Sequence, residues 1–225
     1  MSIFQRATLL AAAAACFWTA QAAQAQKEFP PPVGNGRLVV VASGMSGTEH
    51  YLEVSAEIAK LGYDVMLFDG NGEEGTQGKG VKRDIDTARS MATHAQPGKV
   101  ALVGFSLGGG MDLYYGTQLS EDVAGVVVWF PANAFIKDVP GFAGRLQTPL
   151  VVFAGGKDHF RNNCCAADKD TILQQAAKAA GKSFELTIYP DANHDFNKGG
   201  NNYNAKAHAD AMQHTTDALK AFFGN

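Results

Sequence analysis

The stretch that decides the fold spans residues 99–119 and reads KVALVGFSLGGGMDLYYGTQL. Its first part, KVALVGF, is a short apolar run typical of a buried strand, and its last part has the apolar spacing of a helix. Between them lies Ser106, with Gly104 and Gly108 two positions away on either side. A serine in a sharp strand-to-helix turn has a strained backbone, so these neighbours must lack side chains. The stretch predicts a turn that presents the Ser106 hydroxyl beyond a sheet edge.

The rest of the chain alternates short β-branched runs with longer segments of helical spacing. Strands are predicted at 37–43, 64–69, 99–105, 123–130, 149–154 and 184–189, and helices at about 49–61, 81–95, 107–119, 166–180 and 203–223. The runs VVVA, VVVWF and LVVFA are apolar throughout, as in strands covered on both faces. Because parallel neighbours need crossover connections, this alternation predicts an α/β fold with a doubly wound, mostly parallel sheet flanked by helices.

The amino-terminal residues have the composition of a secretory signal. One cation, Arg6, precedes an apolar run from Leu9 to Trp18, and small residues end at Ala25. We therefore predict a signal peptide at 1–25 cut after Ala25, a Pro- and Gly-rich linker at 26–36 and a single domain at 37–225, in a protein exported to the periplasm or secreted. The apolar run is shorter than the about 20 residues of a membrane span, and we expect no such span. A buried amino-terminal helix is the alternative.

Composition excludes several function classes. With 46% hydrophobic and 18% charged residues, the chain can bury the core of one globular domain. Its net charge of −3, without basic clusters, argues against nucleic-acid binding. The GNGEEG run at 70–75 matches a dinucleotide fingerprint, but it follows the second strand and further glycines delay the helix, so no cofactor is predicted.

Cysteine and histidine residues give little support for a metal site. His159, Cys164 and Cys165 lie in one segment without paired C-x-x-C spacing, so we predict no metal. Export would permit a disulfide between the adjacent cysteines, whose Cα atoms are closer than is usual for such a bond. A vicinal disulfide and two free buried thiols both remain open.

A serine needs a base and a group that orients the base before it becomes a good nucleophile. In a sheet of this kind the acid and then the histidine should follow Ser106, each just past a strand end. Asp158 follows the run PLVVFAGGKD, and His194 follows FELTIYPDAN. These three residues form the predicted triad.

Rival histidines and acids are less well placed. His159 adjoins Asp158 in sequence, so we interpret it as a rim residue. His208 and His214 fall on the final predicted helix and are expected to face solvent. The structural alternative to the triad is that Asp158 and His194 are only turn residues.

The oxyanion and substrate sites are predicted from neighbouring positions. The backbone amide of Leu107, next to the nucleophile, and that of Met45, in the loop after the first predicted strand, are the expected oxyanion donors. Trp129, Phe160 and Phe196 lie near strand ends and are candidates to line an acyl pocket, although packing in the core is an equal interpretation for each.

With these residues in place, the chain resembles the dienelactone hydrolase family of α/β-hydrolases from about residue 37 to residue 223. The motifs that carry the resemblance are LGYDVMLFD, GFSLGG, GGKD, and YPDANHDF followed by YNAKAHADAMQHTTDALKAFF. The resemblance implies an α/β-hydrolase fold and a hydrolytic triad. Ser106 stands where the family's name-giving members have cysteine, Gly44 where they have a glutamate, and Lys198 is the counterpart of a basic residue that holds a substrate carboxylate.

Together these observations predict an exported serine hydrolase that cleaves a small carboxylic ester or lactone through an acyl-enzyme. The oligomeric state is not predicted. The alternatives are a peptidase or thioesterase on the same scaffold, since the same constellation attacks any acyl carbon, and a non-catalytic binding protein that keeps the fold.

Overall fold

A computed structural model describes residues 26–224 of the chain, so the predicted signal peptide lies outside the described residues. One sheet contains seven strands, in the order β1-β3-β2-β4-β5-β6-β7. The strands are β1 Lys27–Phe29, β2 Leu38–Ala42, β3 Asp64–Phe68, β4 Val100–Phe105, β5 Val123–Trp129, β6 Leu150–Gly155 and β7 Phe184–Tyr189. All neighbours are parallel except β1, which is antiparallel to β3. The predicted fold class is confirmed.

Within residues 26–224, seven α-helices connect and cover the strands. They are α1 Leu52–Lys60, α2 Lys79–Met91, α3 Ser106–Tyr114, α4 Val139–Arg145, α5 Phe160–Asn163, α6 Ala167–Ala179 and α7 Ala205–Phe223, and short 3-10 turns lie at Thr48–Tyr51, Gly70–Gly72 and Gly116–Gln118. Each of the five predicted helices is present. The sequence did not indicate α4 and α5, because both are short and α4 contains a proline and two glycines.

The two faces of the sheet carry separate apolar clusters. Side chains alternate along β2, so Leu38 and Val40 face α2, α3, α4 and α6, whereas Val39 and Val41 face α1 and α7. Both faces are therefore buried, which explains why the central strands are apolar at every position.

The segment predicted as a linker, 26–36, is not irregular throughout. Strand β1 lies inside it and pairs Glu28 with Met66 and Phe29 with Val65 of β3. The three prolines that follow, at 30–32, end the strand because they lack the N–H that a ladder needs. The sheet therefore begins before residue 37. Across residues 26–224, the helices are too short or too polar to traverse a bilayer.

The parallel strands bring their carboxyl ends to one edge of the sheet. Ser106 directly follows β4, Asp158 follows β6 and His194 follows β7. In α/β sheets this edge is where ligands bind, and the predicted site residues converge there.

Candidate active site

The Ser106 turn has the strained geometry that its glycines predicted. Ser106 is the first residue of α3, directly after β4, and has a φ of 49°, in the left-handed region that non-glycine residues rarely adopt. A Cβ on Gly104 would lie 2.5 Å from the Gly109 Cα atom, and one on Gly108 would lie 2.5 Å from the Ser43 carbonyl oxygen. Neither position has room for a side chain.

The structure brings Ser106, His194 and Asp158 into one hydrogen-bonded chain. The Ser106 Oγ atom lies 2.9 Å from His194 Nε2, and His194 Nδ1 lies 2.7 Å from Asp158 Oδ2. Asp158 is 2% exposed, and Ser106 and His194 are each 5% exposed. The order of hydroxyl, imidazole and buried carboxylate is the one that a serine nucleophile with a base and an orienting acid requires.

Packing and further hydrogen bonds orient the imidazole. The Phe160 ring stacks on the His194 ring at a centroid distance of 4.3 Å, and the Phe130 ring meets it edge-on at 4.9 Å. The side-chain amide of Asn202 donates to the His194 carbonyl oxygen. The second oxygen of Asp158 accepts the Phe160 amide at 3.0 Å. The position of the base is therefore set by contacts from several segments.

The other candidate histidines lie outside the predicted triad, and the environment of one of them, His208, differs from the expectation. His159 is exposed and contacts Asn163, as a rim residue would. His208, expected to face solvent, is buried, and its Nε2 lies 2.8 Å from Glu57 Oε2. The helical pattern placed His208 correctly on α7 but could not show that a carboxylate on α1 would cover it.

A small cavity of about 80 Å³ opens beside the triad. Its lining comprises Met45, Ser46, Tyr51, Ser106, Phe160, His194, Asp195, Asn201 and Asn202. Met45 and Phe160 were predicted to serve this site and do lie at its wall. Leu107 is in the first turn of α3, where backbone N–H groups have no intrahelical acceptor; the next amide, that of Gly108, donates to the Ser43 carbonyl oxygen at 3.1 Å.

Three other predicted substrate residues lie away from the cavity. Trp129 and Phe196 are fully buried and pack on each other at a centroid distance of 5.5 Å, so both belong to the core. Lys198 directs its ammonium group to Glu57 at 3.1 Å and Glu53 at 3.5 Å. The assignment of these three to substrate binding is therefore corrected. Strand-end position does not reveal which way the Trp129 and Phe196 side chains point, and the resemblance that suggested Lys198 does not show that glutamates on α1 would pair with it.

Sequence reasoning missed Tyr51, which lines the cavity opposite the nucleophile. A Cβ built on Gly44 would meet both the Tyr51 hydroxyl and the Ser106 Cβ, so these two groups border the same small volume. Burial, and then the charge of Asp195, raises the pKa of Tyr51, so that the phenol keeps its proton. The apolar spacing around Tyr51 indicated only a core residue, and no local signal marked its hydroxyl.

Cys164 and Cys165 are joined by a disulfide, which resolves one of the two interpretations left open. Cys165 is buried, and its sulfur lies within 4.8 Å of ligand atoms of Asp158 and His194. A disulfide sulfur is not the thiolate that metals bind, so these three residues do not form a metal site. The preceding residues 161–163 all have φ between 40° and 61°.

A second group of carboxyls is buried behind the nucleophile. Glu73, Asp84 and Asp112 are each at most 2% exposed. Burial and the neighbouring negative charges raise the pKa of Glu73 and of Asp112, which favours their neutral forms. Asp112 lies on α3 and would contact a Cβ at Gly104. The Gly-rich loop 70–80 thus packs an acid against α3, the helix that begins at Ser106.

Comparison with known proteins identifies the family of the chain. The model of the dienelactone hydrolase family matches residues 22–223. A candidate carboxymethylenebutenolidase of Methylorubrum extorquens is 26% identical over 200 residues, covering 76% of this chain and 67% of that protein. Similarly named proteins of Yersinia pestis and Escherichia coli are covered over only 42% and 55% of their lengths.

Two solved structures illustrate the shared fold. A candidate dienelactone hydrolase from Klebsiella pneumoniae superposes with a TM-score of 0.71 at 21% identity, covering 89% of this chain and 92% of that one. Esterase 2 of Thermogutta terrifontis, phosphorylated by paraoxon, superposes with a TM-score of 0.66 at 17% identity, covering 87% and 88%. At these identities the likeness establishes the fold, whereas the family match spans nearly the whole described chain. The chain is a hydrolase that belongs to the dienelactone hydrolase family.

Proposed function

We propose that this protein is an exported serine esterase that cleaves small, uncharged carboxylic esters or lactones through a Ser106–His194–Asp158 triad. The observation that carries the proposal is the unbroken chain of hydrogen bonds, 2.9 and 2.7 Å long, that begins at a serine hydroxyl bordering a cavity. A strained serine with a hydrogen-bonded base and a buried orienting acid has the arrangement that acyl transfer needs.

The reaction proceeds in two halves. Ser106 Oγ attacks the acyl carbon while its proton passes to His194 Nε2, and the Asp158 carboxylate stabilises the imidazolium. The tetrahedral intermediate collapses, the leaving alcohol takes the proton from Nε2, and an ester of Ser106 remains. Water then enters, gives its proton to Nε2 and attacks the same carbon, and Ser106 regains its proton as the acid leaves.

The amides of Leu107 and Met45 are the proposed donors to the oxyanion. Leu107 begins the helix after the nucleophile, and Met45 lies in the turn that Gly44 and Gly47 close by a 3.1 Å backbone hydrogen bond. One such donor contributes on the order of 3 kcal/mol to lowering the barrier. The protonated Tyr51 hydroxyl borders the same cavity and donates to Asp195 at 3.5 Å in this structure, and we propose it as a further donor to the oxyanion when substrate is bound.

Cavity size and charge narrow the substrate class. The cavity of about 80 Å³ is small beside the 300–1,000 Å³ of typical ligand pockets, which favours a short acyl group. Its lining contains Asp195 and, among the described residues, neither lysine nor arginine. Lys198, the counterpart of a carboxylate-binding residue, is neutralised by two glutamates. A neutral ester therefore suits this site better than an anionic dienelactone.

The test is a hydrolysis panel with matched variants. Purified protein should cleave the 4-nitrophenyl esters of acetate and butyrate faster than those of long acyl chains, and faster than a thioester, a peptide or a dienelactone carboxylate. Ser106→Ala should remove this activity, whereas Ser120→Ala, a surface serine bonded to Gln147, should keep it. Preference for the thioester or the peptide would instead support the corresponding alternative, and inactivity on every substrate would favour a binding protein.

Export has its own test. The segment 1–25 has the charged, apolar and small-residue regions of a signal peptide. Protein recovered from the periplasm or medium of a bacterial host should begin at Gln26. Recovery of uncut protein from the cytoplasm alone would contradict export without affecting the proposed chemistry.

A further inference from the structure

Three side chains with metal-binding chemistry meet at the sheet edge opposite the triad. Glu28 lies on β1, Asp64 is the first residue of β3, and His94 follows α2. One ligand atom from each lies within 4.8 Å of the other two. The active site lies past the carboxyl ends of the strands, whereas Asp64 lies at the amino end, so these residues have no part in the triad.

The hydrogen bonds around this cluster leave one buried oxygen without a partner. Thr93 donates its amide and hydroxyl to Glu28 Oε1, at 2.9 and 2.8 Å, and the His94 amide donates to Asp64 Oδ2 at 2.8 Å. Asp64 is 1% exposed, yet its Oδ1 atom has no hydrogen-bond donor. A buried carboxylate oxygen without a donor is costly, so the structure lacks a positive group at this point.

The two carboxyl groups face each other across this gap. Adjacent carboxylates of this kind are stabilised either by a shared proton or by a bound cation. His94 Nδ1 lies 3.7 Å from Glu28 Oε1 and 2.8 Å from the Thr93 hydroxyl oxygen. An imidazole beside two carboxylates favours a cation that accepts both nitrogen and oxygen ligands.

We propose that Glu28, Asp64 and His94 form a structural Zn²⁺ site that ties the first strand to the body of the protein. Two carboxylates and one imidazole are ligand types that zinc prefers, and water would complete its coordination. Calcium and magnesium prefer oxygen-only sites, which the imidazole argues against. The ion would supply the missing partner of Asp64 Oδ1.

The consequence of the site is local. Strand β1 has only three residues and pairs only with β3, so it is a weakly held edge strand. A zinc ion bound to Glu28, Asp64 and His94 would connect β1, β3 and the segment after α2 in one cluster. Because binding to the native state alone stabilises it, zinc should raise the melting temperature.

The test uses zinc itself and the full chain. After dialysis against a chelator, calorimetric titration should show one Zn²⁺ per chain with micromolar or tighter affinity, and a higher melting temperature with zinc than without. Calcium should produce neither effect. Glu28→Gln and His94→Gln should each weaken zinc binding at least tenfold. His214→Gln serves as the matched control, because His214 is also exposed and faces a carboxylate, that of Asp210, at 3.5 Å.

The remaining outcomes decide against the proposal. Absence of stoichiometric zinc binding would show that a proton suffices between Glu28 and Asp64. Equal binding by Glu28→Gln and the unaltered chain would place any zinc elsewhere, and equal response to calcium would exclude the proposed ligand chemistry. Glu28 is partly exposed, so its glutamine variant is expected to fold. Ester hydrolysis should be the same in Glu28→Gln, which separates a failure of this site from a failure of the proposed function.

Discussion

The segment around the nucleophile and the loop that carries the acid hold their residues in place by different means. At the Ser106 turn, close packing leaves no space for a side chain at Gly104, against Gly109 of the same stretch, or at Gly108, against the Ser43 carbonyl oxygen, so the required glycines mark the turn in the local sequence. The loop 158–165 has three successive residues at positive φ and instead depends on contacts with distant segments: Phe160 stacks on His194, and the Cys164 carbonyl oxygen accepts hydrogen bonds from the amides of residues 133 and 134. The Ser106 turn can therefore be recognised from its local sequence, whereas the geometry of the loop 158–165 depends on the assembled fold.

The largest expected effect comes from substituting Asp158, the acid in the loop 158–165. Asp158→Asn keeps the shape of the side chain but removes the charge that holds the correct imidazole tautomer. We expect kcat for a short ester to fall about 10⁴-fold, with an unchanged melting temperature. Steady-state kinetics with Asp191→Asn as the control checks this, since Asp191 is exposed and pairs with Lys157. A loss of less than about tenfold would mean that the acid has no role in orienting His194.

The next effect tests the packing of the Ser106 turn. Gly104→Ala places a methyl group against the Gly109 backbone and the Asp112 carboxyl, and we expect a loss of about 1–3 kcal/mol in the free energy of unfolding. Gly144→Ala on α4 is the control, since nothing lies within 4 Å of its new Cβ. Urea unfolding measures both. Equal stability of the two variants would refute local packing as the constraint.

A substitution of Asp112, which lies on α3 close to Gly104, tests the same region through the pH dependence of the free energy of unfolding. Its pKa is raised in the folded state, so the folded protein retains a proton that the unfolded chain releases above its ordinary pKa near about 4. The raised pKa of Asp112 therefore contributes to the free energy of unfolding at acidic pH. This contribution decreases as pH rises, by up to about 1.4 kcal/mol per pH unit.

Asp112→Asn should remove that decrease. Relative to the unaltered chain, the variant should become progressively more stable from pH 4 to pH 8 in urea unfolding. Asp217→Asn, at an exposed position on α7, should leave the pH profile unchanged. A variant that follows the pH dependence of the unaltered chain would show that Asp112 is ionised in the native state.

The Tyr51 side chain borders the same cavity as Ser106, and substituting it tests whether its hydroxyl contributes to the reaction. Tyr51→Phe removes one hydroxyl donor without changing the ring, and we expect kcat to fall on the order of tenfold. The melting temperature should change little, because the hydrogen bond from the hydroxyl to Asp195 is long, at 3.5 Å. Tyr203→Phe at an exposed position is the control. An unaltered kcat in Tyr51→Phe would exclude a donor role.

The smallest effect concerns the disulfide in the loop. It closes a loop of only two residues, so its loss removes about 1 kcal/mol of stability by chain entropy. Activity should change less than about tenfold on reduction, since the Asp158–His194 hydrogen bond and the Phe160 stacking do not pass through the sulfurs. Assays with and without dithiothreitol measure this, and the Cys164→Ser Cys165→Ser variant should not respond. Complete inactivation by reduction would show that the disulfide holds the loop.

The sequence predicted the elements and residues whose signals are local. Continuous apolar runs identified six strands, the glycine spacing identified the Ser106 turn, and strand-end positions identified Asp158 and His194. Strand β1 was missed, because three residues before a proline run carry no period. Trp129 and Phe196 were wrongly assigned to the substrate site. Their position near strand ends suggested it, but that position does not give the direction of a side chain. Tyr51, His208 and the Glu28 cluster depend on contacts between distant segments, which one sequence does not display.

Organophosphate labelling tests the central claim most directly. The protein should release one equivalent of 4-nitrophenol from paraoxon and gain one diethylphosphoryl group, which peptide mapping by mass spectrometry should place on Ser106. Ser106→Ala should remain unlabelled, and His194→Gln should react far more slowly because the serine has lost its base. Stoichiometric labelling at any other residue, or equal labelling of Ser106→Ala, would contradict the account.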